Sequence, residues 1–262
     1  MKNLREPFYE LEIKTANCFI EILINDFPVF SNFQDGGMAV DYPINDAILH
    51  SGKHVITVKI SSPKKGERIS IFANCELKVF VKEANLEASG RNLVHAFPAF
   101  NFKENNLPMF VQNSAFQAEV PYINLGWAKS LDLTKIEEKQ LLAELNENLS
   151  KITEIYNTRN ENEYLALFDE RTKEHIKSFY LTKEEIKDNN ESIFYGLPKK
   201  IESIDSSNYK LVFFGEGKMV SLQAKKQSPG FVFESVNKDE YGFTEMVLFH
   251  KKNSGSQLEI IR

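Results

Sequence analysis

The chain contains no run of roughly 18 apolar residues, so its sequence predicts no membrane-spanning helix. Cysteine is nearly absent: Cys18 and Cys75 stand alone. Neither has a neighbour at zinc-ligand spacing, and both sit inside strand-like runs, "NCFIEILI" and "IFANCELKVFV". Two buried thiols acting as small apolar residues are expected, with one bridge between strands as the alternative. Glycine (12) and proline (9) are few among 262 residues, which excludes a long flexible or low-complexity segment.

A basic excess is also missing. The net charge is -5, and both halves of the chain are slightly acidic. Neither half carries the basic excess that phosphate binding needs, so no nucleic-acid partner is expected. Lys64-Lys65 and Lys225-Lys226 are isolated pairs that read as turn residues. No Gly-x-Ser-x-Gly, His-Glu-x-x-His, Walker or dinucleotide fingerprint is present. The stretch "GEGK" from Gly215 lacks phosphate-loop spacing and reads as a hairpin. The opening "MKNLREPFYELEIK" lacks a leader's apolar core, so a cytoplasmic chain is expected, or a periplasmic one if a leader has been removed.

What is present is apolar material for two cores: 42% hydrophobic residues, with 21 phenylalanines. Residues 8–125 read as strands. "FYELEIKT" sets Tyr9, Leu11 and Ile13 against Phe8, Glu10 and Glu12. "CFIEILI", "FPVFSNF", "HVITVKI", "RISIFANCELKVFV", "LVHAFPAFNF" and "MFVQNSAFQAEV" follow, separated by Asn25-Asp26, Gly36-Gly37 and Pro63 with Lys65-Gly66. From Thr134 the period becomes helical, with Leu141, Leu145, Leu149, Ile152 and Tyr156 in one stripe. Thr134 with Glu137, and Thr182 with Glu185, have capping-box form. Three helices are predicted: one from Thr134, one over 160–180, and one from Thr182 to Gly196. After Pro198 the period returns to two and predicts a strand meander forming one sheet. The expected fold is therefore two-domain: an all-β antiparallel sandwich over 1–126, then an α+β cone over 132–262, with three helices on a curved sheet.

The run "PINDAILHSGKHVITVKI", preceded by "EILINDFPVF", resembles the galactose-binding-like and jelly-roll sandwiches, with Leu49, Gly52 and Val58 in their corner pattern. Gly52 would supply a positive φ there. The resemblance implies topology and does not carry sugar binding over. The order of three helices and a meander over 134–262 resembles the nuclear-transport-factor-2-like superfamily, which hosts enzymes, ligand binders and docking domains. That resemblance implies Asp, His or Tyr residues inside a cone. Here the candidates are Asp169, His175, Tyr195 and His250.

Among the candidate polar clusters, "FDERTKEHIK" holds Asp169, Glu170, Glu174 and His175. Asp169 and His175 are six apart, off one face, so a solvated helix face accounts for the run. His50 and His54 flank Gly52, whose turn disfavours a helix and hence a metal pair. The sequence therefore predicts no catalytic residue, no metal and no cofactor. Pocket candidates are His250, Tyr195 and Asp169. "FTEMVLFHKK" and "YKLVFFGE" are apolar on both faces, so their outer face needs a cover, the sandwich or a second subunit. Phe214, Met246 and Leu248 are the interface candidates. The expected function is a non-enzymatic bacterial interaction protein, an immunity or accessory protein docking a partner protein or second copy through the C-terminal sheet. The alternatives are a small-molecule or catalytic pocket in the cone and carbohydrate recognition by the sandwich.

Overall fold

The structure, a computed structural model, describes residues 4–34, 36–64, 66–86, 90–100, 102–103 and 107–262. The expected turn residue Lys65, and Asn101 within a predicted strand, lie outside them. Contacts divide the chain into two compact units, Met1–Asn124 with Ser178–Tyr180, and Leu125–Lys177 with Leu181–Arg262. None of the described helices is long and apolar enough to cross a membrane.

The first unit holds two four-stranded antiparallel sheets. Its strands are β1 (Pro7–Ala16), β2 (Phe19–Ile24), β3 (Phe27–Asn32), β4 (Gly37–Pro43), β5 (Gly52–Ser61), β6 (Asn74–Glu83), β7 (Asn92–Ala96) and β8 (Met109–Ala118). The sheet orders are β4-β1-β6-β7 and β3-β2-β5-β8. Period-two patterning decides which face is buried. Tyr9, Leu11 and Ile13 of β1, Ile56, Val58 and Ile60 of β5, and Leu77, Val79 and Val81 of β6 are all buried. Each such side chain contributes roughly 1.5–3 kcal/mol by leaving water.

Local turn chemistry supports this register. Asn25 and Asp26 both have positive φ, 51° and 59°, as a two-residue hairpin matched to strand twist requires. Gly52 enters β5 at φ 142°, the left-handed region expected of it. Asn45 is fully buried and satisfied: its Oδ1 accepts from Tyr9 N at 2.7 Å and its Nδ2 donates to Pro7 O at 3.0 Å. Cys18 and Cys75 are free, buried thiols. Burial pushes Cys18 up to about 11, and burial chiefly raises Cys75 as well.

The second unit carries four helices rather than three: α1 (Glu138–Thr158), α2 (Glu161–Leu167), α3 (Asp169–Phe179) and α4 (Lys183–Glu191). The predicted 160–180 helix breaks at Phe168, which is buried at 1% exposure against Tyr164. The capping box at Thr134 does not form. Asp132 Oδ1 takes both the Thr134 amide (3.1 Å) and its hydroxyl (2.5 Å), closing a 3-10 turn. The helix then starts at Glu138 without a side-chain cap. The Thr182 box does form, with reciprocal bonds to Glu185. α1 ends where Arg159 turns left-handed at φ 55°.

The expected single meander is two sheets. β10 (Tyr209–Phe214), β11 (Met219–Ala224), β14 (Phe249–His250) and β15 (Glu259–Ile260) form one. β9 (Ile201–Ser203), β12 (Phe231–Ser235) and β13 (Phe243–Glu245) form the other, in the order β13-β12-β9. "FTEMVLFHKK" supplies both β13 and β14 and crosses between sheets through 246–248. Gly230, at φ 139° just before β12, lies where a Cβ would come 2.1 Å from Glu245 O at the end of β13. The α1 stripe packs with Val220, Leu222, Phe231, Phe233 and Phe249 in one core filled by side chains.

Candidate functional site

Three donors of the second unit, two from paired strands and one from a helix far along the chain, meet beside an open cleft. His250 on β14 lies opposite Glu259 on β15 in the antiparallel ladder, which puts their side chains on the same face. Glu170 reaches them from the first turn of α3. One ligating atom of each lies within 4.8 Å of the others.

His250 is the unusual member. It is 2% exposed. Its Nδ1 shares a 2.7 Å hydrogen bond with Ser130 Oγ. Its Nε2 is buried and makes no hydrogen bond among the described residues. That nitrogen faces Glu170 Oε2 at 3.7 Å, too long for a hydrogen bond. The tautomer in which Nδ1 donates to Ser130 leaves Nε2 a lone pair facing the carboxylate; the tautomer in which the Ser130 hydroxyl donates turns the Nε2 proton toward it. Burial is the main influence holding the imidazole below its ordinary pKa, and Glu170 pulls the other way.

Lys252 supplies the local cation. Its Nζ lies 2.6 Å from Glu170 Oε2 and 2.9 Å from Glu259 Oε2. These two hydrogen bonds raise its pKa. The side chain is nonetheless 49% exposed, so the ammonium is held from the solvent side.

The cleft has a volume of about 660 Å³ and lies among α1, α2, α3 and the C-terminal segment. Glu147, Glu163, Asp169, Glu170 and Glu259 line it, against Lys151 and Lys252. Five carboxylates facing two ammoniums favour a cationic occupant. A second cleft of about 350 Å³ between α2, α3 and α4 is lined largely by apolar residues, with Arg171 and His175. Arg171 is engaged beneath it, donating to Glu245 Oε1 at 2.8 Å.

Two further ion pairs of the second unit have a buried cation. Lys251, 3% exposed, reaches Glu144 Oε1 at 2.5 Å, and Glu144 Oε2 accepts from Leu258 N at 2.9 Å. Burial opposes ionisation of Glu144, but the bonds from Lys251 and Leu258 outweigh it and lower its pKa. Glu174 accepts from Gly126 N at 2.9 Å and pairs with Arg262 at 2.7 Å.

Compared with models of known protein families, with curated proteins and with solved structures, the chain matches none.

The sequence-predicted residues are distributed unevenly. His250 joins Glu170 and Glu259 in the cluster without itself lining the cleft, and Asp169 lines the cleft while paired with Lys173 at 2.6 Å. Tyr195 does not join them: it is 89% exposed in the turn after α4 and lines neither cleft. Of the interface candidates, Phe214 (9%) and Leu248 (0%) are buried and present no free surface; Met246 is half-buried. His54 is not a ligand candidate. Its two nitrogens are taken by Asn25 Nδ2 (2.8 Å) and His50 O (3.0 Å).

Sequence reasoning missed Glu170 and Glu259. It read "FDERTKEHIK" as a solvated face, whereas Glu170 pairs with half-exposed Lys252 and Glu174 with buried Arg262. Their i,i+4 spacing was the available signal.

Proposed function

We propose that the second unit is a binding module that receives a cationic group in its acidic cleft, without covalent chemistry on the ligand. The observation that carries this reading is the convergence of five carboxylates on one open cleft, two of them, Glu170 and Glu259, backed by the buried imidazole of His250. Ligand sites are concave surfaces with a few convergent polar groups, and this cleft has that form. The reading agrees with the resemblance of this half to the nuclear-transport-factor-2-like superfamily. It moves the pocket from the interior of a cone, which side chains fill, to the cleft beside α1–α3. The first unit, with its resemblance to galactose-binding-like sandwiches, then serves as a second, separately cored module.

Calorimetric titration of the full chain with spermidine, in EDTA, tests the reading. Saturable binding that weakens with salt and is reduced by Glu147→Gln with Glu163→Gln is expected. Absence of both heat and thermal shift would refute it.

A docking reading has one observation in its favour. β10 is an edge strand of its sheet and carries Phe213 at 36% exposure. An exposed edge can accept a further strand from a partner protein or a second copy. Sedimentation of the chain against Phe213→Lys tests it: loss of a dimer on substitution supports it, and a monomer in both refutes self-pairing.

A further inference from the structure

Three features beside the cleft remain unexplained by an acidic surface alone. The imidazole Nε2 is buried and makes no hydrogen bond among the described residues, with the Glu170 carboxylate 3.7 Å away. Two carboxylates from different elements converge on it. The only cation between those carboxylates, among the described residues, comes from a half-exposed side chain that can leave.

The geometry points to a divalent transition-metal site formed by Glu170, His250 and Glu259, in which the Lys252 ammonium stands as a tethered counter-ion that the metal displaces. This inference rests on the cation-receiving reading of the cleft and deepens it.

The donor set selects the class of metal. Magnesium and calcium take oxygen ligands, so a buried imidazole would be wasted on them. One imidazole with two carboxylates suits a borderline ion such as zinc or cobalt(II). At ligand bonds of about 2.0–2.2 Å, adjacent donors stand roughly 3–3.5 Å apart. The Glu170–His250 separation of 3.7 Å is already close to that. The widest pair, at most 4.8 Å, must close by about an ångström, which glutamate rotamers allow.

The surroundings fit as well. Ser130 Oγ fixes the other imidazole nitrogen, as second partners of metal-bound histidines do. Glu170 and Glu259 both line the open cleft, so an entry path exists. Three protein donors leave one or more positions for water.

Lys252 makes the inference sharp. It bonds both carboxylate ligands, so metal and ammonium compete for the same oxygens. If the cluster were only an ion-pair network, removing Lys252 would leave two like charges and no new affinity.

The test is calorimetric titration of the chelator-stripped full chain with zinc, with cobalt(II) absorption reporting the ligand field. One zinc per chain is expected. Glu170→Gln and His250→Ala each weaken it at least tenfold, and Lys252→Ala tightens it by roughly tenfold, the worth of a charge-assisted hydrogen bond. Should His250→Ala fail to fold, Glu259→Gln on the partly exposed β15 takes its place. No metal uptake by the native chain and by Lys252→Ala overturns the proposal. So does uptake unchanged by both Glu170→Gln and Glu259→Gln. If spermidine binds in EDTA while zinc does not, the metal site falls and the acidic cleft stands. If neither binds, both fall.

Discussion

The two units of this chain spend polarity differently. The first keeps its ion pairs on outer strand faces, where Glu12 gathers Lys14, Lys78 and Arg91, and it buries mainly neutral groups such as Asn45 and His54. The second buries Lys251, Arg262 and His250 and sets carboxylates against each. Buried charges are costly unless paired and add little net stability when they are. The second unit thus buries cations beside its core, whereas the first buries none among the described residues.

Substitutions that remove one partner from each kind of network should separate the units. Glu144→Ala leaves Lys251 buried without its carboxylate and frees Leu258 N. It should cost about 3–5 kcal/mol, read by urea unfolding followed through Trp127, which lies in the second unit. A loss below about 1 kcal/mol would mean that Lys251 reaches water and the contrast between units is false.

Asn45→Ala, in the first unit, removes the acceptor of Tyr9 N and a donor to Pro7 O. The expected cost is about 1–3 kcal/mol for buried groups left unsatisfied. An unchanged urea midpoint would show that these backbone groups find other partners.

A pH effect of smaller size is expected from His54. Burial, the leading cause, holds its folded pKa below the ordinary 6.5; the His50 carbonyl opposes this and the His50 ring adds to it. The unfolded chain therefore takes up the proton first. Stability is complete above about pH 6.5 and declines as pH falls through the folded pKa. Thermal melts of His54→Gln between pH 8 and 5 should show a shallower acid decline than the native chain. An equal or steeper decline would contradict this.

The smallest effect belongs to the first unit's surface. Lys14→Ala removes one of three cations at Glu12 from a side chain 47% exposed, and should change stability by roughly 0–1 kcal/mol. A larger loss would place real weight on the outer network.

The contrast also explains what could be read from the sequence. β1, β2 and β5 are legible because one face is buried along their whole length, and that burial writes a period of two into the residues. β4, GMAVDYP, was missed although Met38, Val40 and Tyr42 alternate along it: they are only half-buried, and the stripe is short and bounded by Gly37 and Pro43. β9 is three residues long, too short for any period. The break between α2 and α3 is invisible because Phe168 continues the apolar stripe across it. Within the site, His250 stood out as a histidine among apolar alternation. Glu170 and Glu259 did not, because charge on a helix face or in a short strand ordinarily means solvent, and the partners of Glu170 lie far along the chain.

The most direct test of the site is a crystal of the full chain soaked in zinc, with an anomalous difference map. The account predicts a single strong peak about 2.0–2.2 Å from His250 Nε2, with Glu170 and Glu259 ligating and Lys252 swung into the cleft. A map empty at that position, with Lys252 still bridging both carboxylates at saturating zinc, would contradict it.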